Sequence, residues 1–228
     1  MLTYFRGKRN NVAMNMKTAR PARPAPPLRG KESNTTTKGY ERSAAIMEAA
    51  YAILATEGYA GLSMRSIAQR VGVSLSNVQH YYPSRDALIE ALLELTFTTY
   101  QADMDRIVAG MESPQLRFAG VIDYFLETLR DQMQSGLFFE VAALANRHAV
   151  AASIFDTMLT RARKNLRRLI RDIDPAMAPA QCDLRAALIV SQLIGGMVFI
   201  ADTRPKHDEL AGLQQEMAAA IRRIAFGT

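Results

Sequence analysis

The side chains best placed to do chemistry crowd into a seven-residue stretch, where Ser76, Asn77, Gln79 and His80 surround one apolar residue, Val78. On a short helix from about Leu75 to Tyr81 they would be exposed while Val78 is buried. The amides of Asn77 and Gln79 can each make paired hydrogen bonds to an adenine edge, worth about 1–3 kcal/mol of discrimination apiece. Hydroxyls and an imidazole suit phosphates as well as bases. For either amide alone a phosphate or water contact fits equally well, and His80 has the alternative of a plain solvated ring. The chemistry on offer is recognition without bond-making. The chain has three histidines, His80, His148 and His207, and a single cysteine, Cys182. It shows no glycine-rich phosphate loop, no metal-spaced His/Cys cluster and no nucleophile elbow, so no enzyme activity, cofactor or metal is expected.

Positioning such a helix requires a frame, and the flanking residues describe one. Ser63 can cap a helix whose Met64, Ile67, Ala68 and Val71 fall at inward-facing spacing. Gly72 can end it in a left-handed conformation, with Val73 dropping into the core as the chain reverses. Ser74 then caps the short helix, Pro83 and Ser84 end it, and Ser84 caps the next one. Asp86 sits in that helix's first turn, where the macrodipole favours an acid. Upstream, Ile46, Ala49, Ala50, Ile53 and Leu54 repeat at helical spacing up to Glu57-Gly58-Tyr59, predicting a supporting helix. Helix pairs with a glycine turn occur in many all-α proteins, but three helices in this arrangement make a compact DNA-binding head.

These residues, in this order, resemble the head of TetR-type bacterial transcriptional regulators. The resemblance rests on Gly58-Tyr59, Ser63, Ile67-Ala68, Gly72-Val73-Ser74, Tyr81-Tyr82-Pro83-Ser84-Arg85 and Ala87-Leu88, about 50 residues. It implies that Ser63, Arg65, Tyr81 and Arg85 anchor phosphates, while Ser76, Asn77, Gln79 and His80 face the major groove; the N-cap Ser74 joins this DNA-contacting set, and Tyr82 belongs to the core. Two positions depart from the family pattern. Gln79 stands where a phosphate-contacting tyrosine is usual, and Arg85 replaces a lysine, keeping the charge and adding a planar fork. The implied fold is all-α: an N-terminal three-helix helix-turn-helix head and a C-terminal helical body for ligand binding and dimerisation. The implied partners are a double-stranded DNA operator, a second copy of the chain and an unidentified small-molecule effector, with no membrane.

The formal charge of +6 is unevenly placed, because residues 1–40 hold nine Lys/Arg against Glu32 alone. The segment is rich in Pro, Arg and Thr without an apolar period, so it is expected to be a disordered basic extension, followed by the head at 41–88 and the body at 89–228. It reads as an arm on DNA phosphates drawing on Arg29, Lys31, Lys38 and Arg42, as a solvated extension without a role, or as residues upstream of a start at Met14 or Met16. The lone cysteine suits a reducing, cytoplasmic setting and acts as an apolar filler.

Beyond Leu88 the spacing predicts helices at about 84–110, 115–134, 137–147, 150–173, 180–203 and 206–226, with one break at Ser135-Gly136. The helix from about Ala180 is apolar nearly all round, too short and interrupted to span a bilayer, and with the last helix it could form a four-helix dimer interface. Leu188, Gln192, Gly195, Gly196, Phe199, Leu213, Met217 and Ile221 are its expected contacts; packing of both helices inside one subunit is the alternative. Candidate ligand contacts are Tyr100, Met104, Tyr124, Phe139, Glu140 and His148, with Phe97, Phe125, Met133 and Phe138 as further large side chains on apolar faces. Glu140 and His148 stand out because they interrupt an apolar run, although solvent exposure explains either. The basic run from Arg161 to Arg171 reads as a solvated helix face opposite Leu159, Leu166, Leu169, Ile170 and Ile173. A homodimeric repressor released from a palindromic operator by an effector fits these features. An architectural, nucleoid-associated DNA binder acting through a protein partner is the alternative, and a ligand-binding protein with a vestigial head is a third reading.

Overall fold

The structure, a computed structural model, describes residues 37–227. They form ten α-helices and a 3-10 turn, with no strand among the described residues. Helix α1 (Thr37–Thr56) buries Ile46, Ala49, Ala50, Ile53 and Leu54, the stripe expected of the supporting helix. It begins four residues inside the segment expected to be disordered, so 37–40 are helical. The rest of that segment, including Arg29 and Lys31, lies outside the described residues. A short turn of helix, α2 (Gly58–Gly61), leads to α3 (Met64–Val71) and α4 (Leu75–Tyr81). Long α5 (Arg85–Ala109) follows, then α6 (Pro114–Thr128), α7 (Gln132–Ala145), α8 (Ala149–Ile173), α9 (Pro179–Ile200) and α10 (Leu213–Phe226).

Two apolar cores result, and α5 runs through both. Leu88 to Leu95 pack with α1, α3 and α4, whereas Met104 packs with α6, α8, α9 and α10. The first core also takes Leu137 and Val141 of α7, so the head is seated directly on the body. The close fit comes from Gly136, where an added Cβ would stand 2.4 Å from the Ala55 carbonyl oxygen of α1. This corrects the expected break at Ser135-Gly136. Glycine there serves a helix–helix contact, and the actual break is at 129–131, where Asp131 caps α7 by accepting from Met133 N and Gln134 N at 2.9 and 3.1 Å.

The last helix also starts later than the spacing predicts. A 3-10 turn at Asp208–Leu210 and Gly212, in a left-handed conformation with φ +90°, separate it from α9. Among the described helices α9 is long and apolar enough to cross a membrane by composition. Here its Cys182, Ala186, Ile189, Leu193 and Met197 fill the second core against α8 and α10. Cys182 is fully buried, and burial foremost pushes its thiol above the usual range, as a filler side chain requires. Of the basic run on α8, Arg161, Arg167 and Arg168 pair with Glu94, Asp183 and Asp105. These exposed pairs contribute little to stability, about 0–1 kcal/mol each.

Candidate nucleic-acid interface

Each helix of the recognition pair is set by its own caps. Ser63 Oγ accepts from Ser66 N at 2.9 Å, and Ser66 Oγ accepts from Ser63 N at the same distance, a reciprocal box at the start of α3. Gly72, at φ +72°, closes that helix, and Val73 N donates to Ala68 O at 2.9 Å. Ser74 Oγ accepts from Asn77 N at 3.2 Å, starting α4, and Ser84 Oγ accepts from Ala87 N at 3.1 Å, starting α5. Val78 is fully buried and anchors α4 by its inner side. Tyr82 is buried as well, its hydroxyl 2.8 Å from Ser43 Oγ, and burial raises its ionisation above the usual range.

With Val78 inward, Ser76, Gln79 and His80 share the outer face of α4, flanked by exposed Ser74, and Arg65 projects from α3. His80 is braced edge-on against Tyr81, with ring centres 5.4 Å apart. Two expected contact residues sit differently. Asn77 is half-buried at the flank, and its Oδ1 is buried with no hydrogen-bond partner. Arg85 is turned inward: its guanidinium lies 3.9 Å from the centre of the Tyr59 ring and donates to Tyr59 Oη and to Leu62 O. The head itself is neutral, four arginines balancing four acids over residues 41–88. Arg70 is further occupied by Glu57 at 2.9 Å. Lys38, Arg42 and Arg65 make no ion pair among the described residues.

The expected ligand contacts do not converge. Met104 is buried in the second core, Tyr124 donates to Asp103 Oδ2 at 2.9 Å, and Phe139 packs edge-on against Phe138. Glu140 and His148 instead face the head. A Glu140 carboxylate oxygen accepts from Tyr59 N at 3.0 Å, at the free N-terminus of α2. His148 stands 6.1 Å from the Tyr59 ring, with Nε2 3.5 Å from Asp86 Oδ1. These two residues correct the expectation of a pocket role: they join the body to the head around Tyr59. Of the six, Tyr100 lines a small cavity between α1, α5 and α7.

The proposed dimer residues divide similarly. Leu188 and Phe199 are 57% and 58% exposed, and Gly195 opens outward with nothing within 4 Å of an added Cβ. Gln192 and Leu213 are half-buried. Gly196, Met217 and Ile221 belong to the chain's own core, which corrects their assignment. A Cβ at Gly196 would meet the Met217 side chain of α10. The spacing overlooked Leu184, 68% exposed, Ser191 and Val198, which complete an outward stripe with Leu188, Gly195 and Phe199.

The family described as bacterial regulatory proteins, tetR family, matches residues 46–92, from α1 into the first turns of α5. Residues 46–92 thus carry a TetR-family DNA-binding head. An uncharacterized HTH-type transcriptional regulator in the dhlA 5′ region of Xanthobacter autotrophicus is 38% identical over 95 residues, covering 40% of this chain and 44% of that protein. The HTH-type transcriptional repressor KstR of Mycobacterium tuberculosis is 28% identical over 131 residues, 55% of this chain and 60% of KstR. The chain thus spans about half the length of these relatives. Salmonella enterica GusR has a similar fold at 19% identity, with a TM-score of 0.62 over 82% of this chain and 98% of GusR.

Proposed function

We propose that this chain is a TetR-family DNA-binding transcriptional repressor that acts as a homodimer and leaves its operator when a small molecule binds. The observation that carries this is the outer face of α4: Ser76, Gln79 and His80 are held out in water by serine caps and one buried valine, and their contacts within the chain are local, Ser76 Oγ to the Ser74 hydroxyl and the His80 ring to Tyr81. Such side chains are suited to base edges in a major groove. KstR is a transcriptional repressor, and repression is the expected direction here. A regulator of this kind would act on chromosomal DNA in the cytoplasm.

The second copy is supported by α9. Leu184, Leu188, Ser191, Gly195, Val198 and Phe199 recur every three to four residues on its solvent side, an apolar stripe with small residues in the middle. A face of this kind marks a protein–protein contact, and a two-fold pair would set two α4 helices on successive major grooves, about 34–36 Å apart. Selection of binding sites from a random DNA pool, followed by footprinting, tests the proposal. Inverted half-sites about one helical turn apart are expected; single half-sites, or enrichment of no sequence, would overturn it.

A further inference from the structure

At the seam between head and body lies a cavity of about 60 Å³, bounded by Met47 and Tyr51 of α1, Leu92, Thr96 and Tyr100 of α5, and Gln134 of α7. At roughly 10–15 Å³ per water position, it has room for about four waters or a ligand of similar bulk. Its lining is uncharged. Tyr100 donates to Gln134 Oε1, leaving the Gln134 amide hydrogens and a Tyr100 lone pair free of partners among the described residues. Thr96 Oγ1 is turned back to Leu92 O at 2.9 Å. Burial above all, then neighbouring Tyr51 and Tyr124, with Asp131 and Asp103 adding less, pushes Tyr100 well above the usual phenol range, so it stays neutral and an anion finds no counter-charge.

We infer that this seam is the effector site of the regulator proposed above, and that it takes small neutral alcohols. A hydroxyl can accept from the Gln134 amide while donating to Tyr100 Oη, and a short alkyl chain covers Met47 and Leu92; a carboxylate would be desolvated without compensation. The site spans the two halves of the molecule. Six residues along α7 from Gln134, the Glu140 carboxylate accepts from Tyr59 N, and Gly136 lies against Ala55 O in between. A ligand that fits better when α1 and α7 are spread shifts the population toward heads released from that contact.

The test uses the full chain, ¹⁵N-labelled, titrated with 1-butanol and separately with butyrate, which has the same chain length and a charge. Saturable shifts at residues 96–100 and 134 are expected, with a Kd on the order of 1 mM for so small a ligand. Butyrate and the Gln134→Leu and Tyr100→Phe variants should each bind at least about tenfold more weakly, by the loss of one hydrogen bond to a buried group. Scattered or non-saturating shifts, or equal binding of butyrate, would overturn the site; so would affinity unchanged in both variants. DNA binding by the same samples is read by anisotropy. Butanol binding without DNA binding would sink the regulator reading and leave the site standing, whereas DNA binding without butanol binding would do the reverse. Butanol that binds but leaves operator affinity unchanged would overturn the coupling.

Discussion

Two outer faces lie exposed among the described residues, and they differ in nearly every respect. The face of α4 belongs to a seven-residue helix and shows Ser76, Gln79 and His80; that of α9 belongs to a 22-residue helix and shows Leu184, Leu188, Val198 and Phe199. The first costs the free chain nothing, since water satisfies polar side chains as well as a nucleic acid does. The second leaves apolar surface in water, a cost of about 25 cal/mol per Å² that covering it removes. A partner for α4 can therefore come and go, while the partner for α9 should be permanent. In the proposal these are the operator and the second subunit.

The largest expected effect breaks the apolar face. Leu188→Arg places two like charges at the two-fold contact, and sedimentation should find a monomer. Because binding both half-sites depends on linkage, operator affinity should drop by roughly 100-fold or more. A monomer with undiminished affinity would detach the two faces from each other. On the polar face, Gln79→Ala should lose about 1–3 kcal/mol on the selected site and nothing on unrelated DNA, by competition titration. Gly72→Ala probes the frame, with no atom within 4 Å of the new Cβ but a left-handed φ. It should cost about 1–2 kcal/mol in chemical denaturation. Ser74→Ala should cost about 1 kcal/mol or less through the lost cap.

Smaller still is a pH effect. Tyr100 and Tyr124 ionise above the usual phenol value of 10.0 when folded, chiefly through burial. The unfolded chain ionises first, so the stability they supply is complete below about pH 10 and lost as pH rises toward the folded values. Denaturation midpoints should hold level to about pH 10 and fall beyond it, less steeply in Tyr124→Phe.

The contrast also explains what was legible in the sequence. The head is written locally: Ser63, Gly72, Ser74 and Ser84 mark its helix ends within a few residues of what they control, and α3 and α4 lie where those marks put them. Periodicity on α9 and α10 is ambiguous because α9 is apolar on nearly every side. Which side faces out is decided by α8 and α10, so Met217 and Ile221 went to the core and Leu184 and Val198 to the surface. Glycine misled at 136, where it serves a close contact with Ala55 and does not break the helix. The bond between Glu140 and Tyr59 joins residues 81 apart, and no local pattern announces such a pair. Interruption of an apolar run by Glu140 and His148 did mark both as unusual, although their target is the head.

The most direct test of the central claim is an anisotropy titration of the full chain against labelled DNA from its own upstream region, with unrelated DNA and rising salt as comparisons. The account predicts tight, selective binding that both Gln79→Ala and His80→Ala weaken on the upstream site alone. Equal affinity for both DNAs, unchanged by either substitution, would contradict it and leave the outer face of α4 without the role assigned to it.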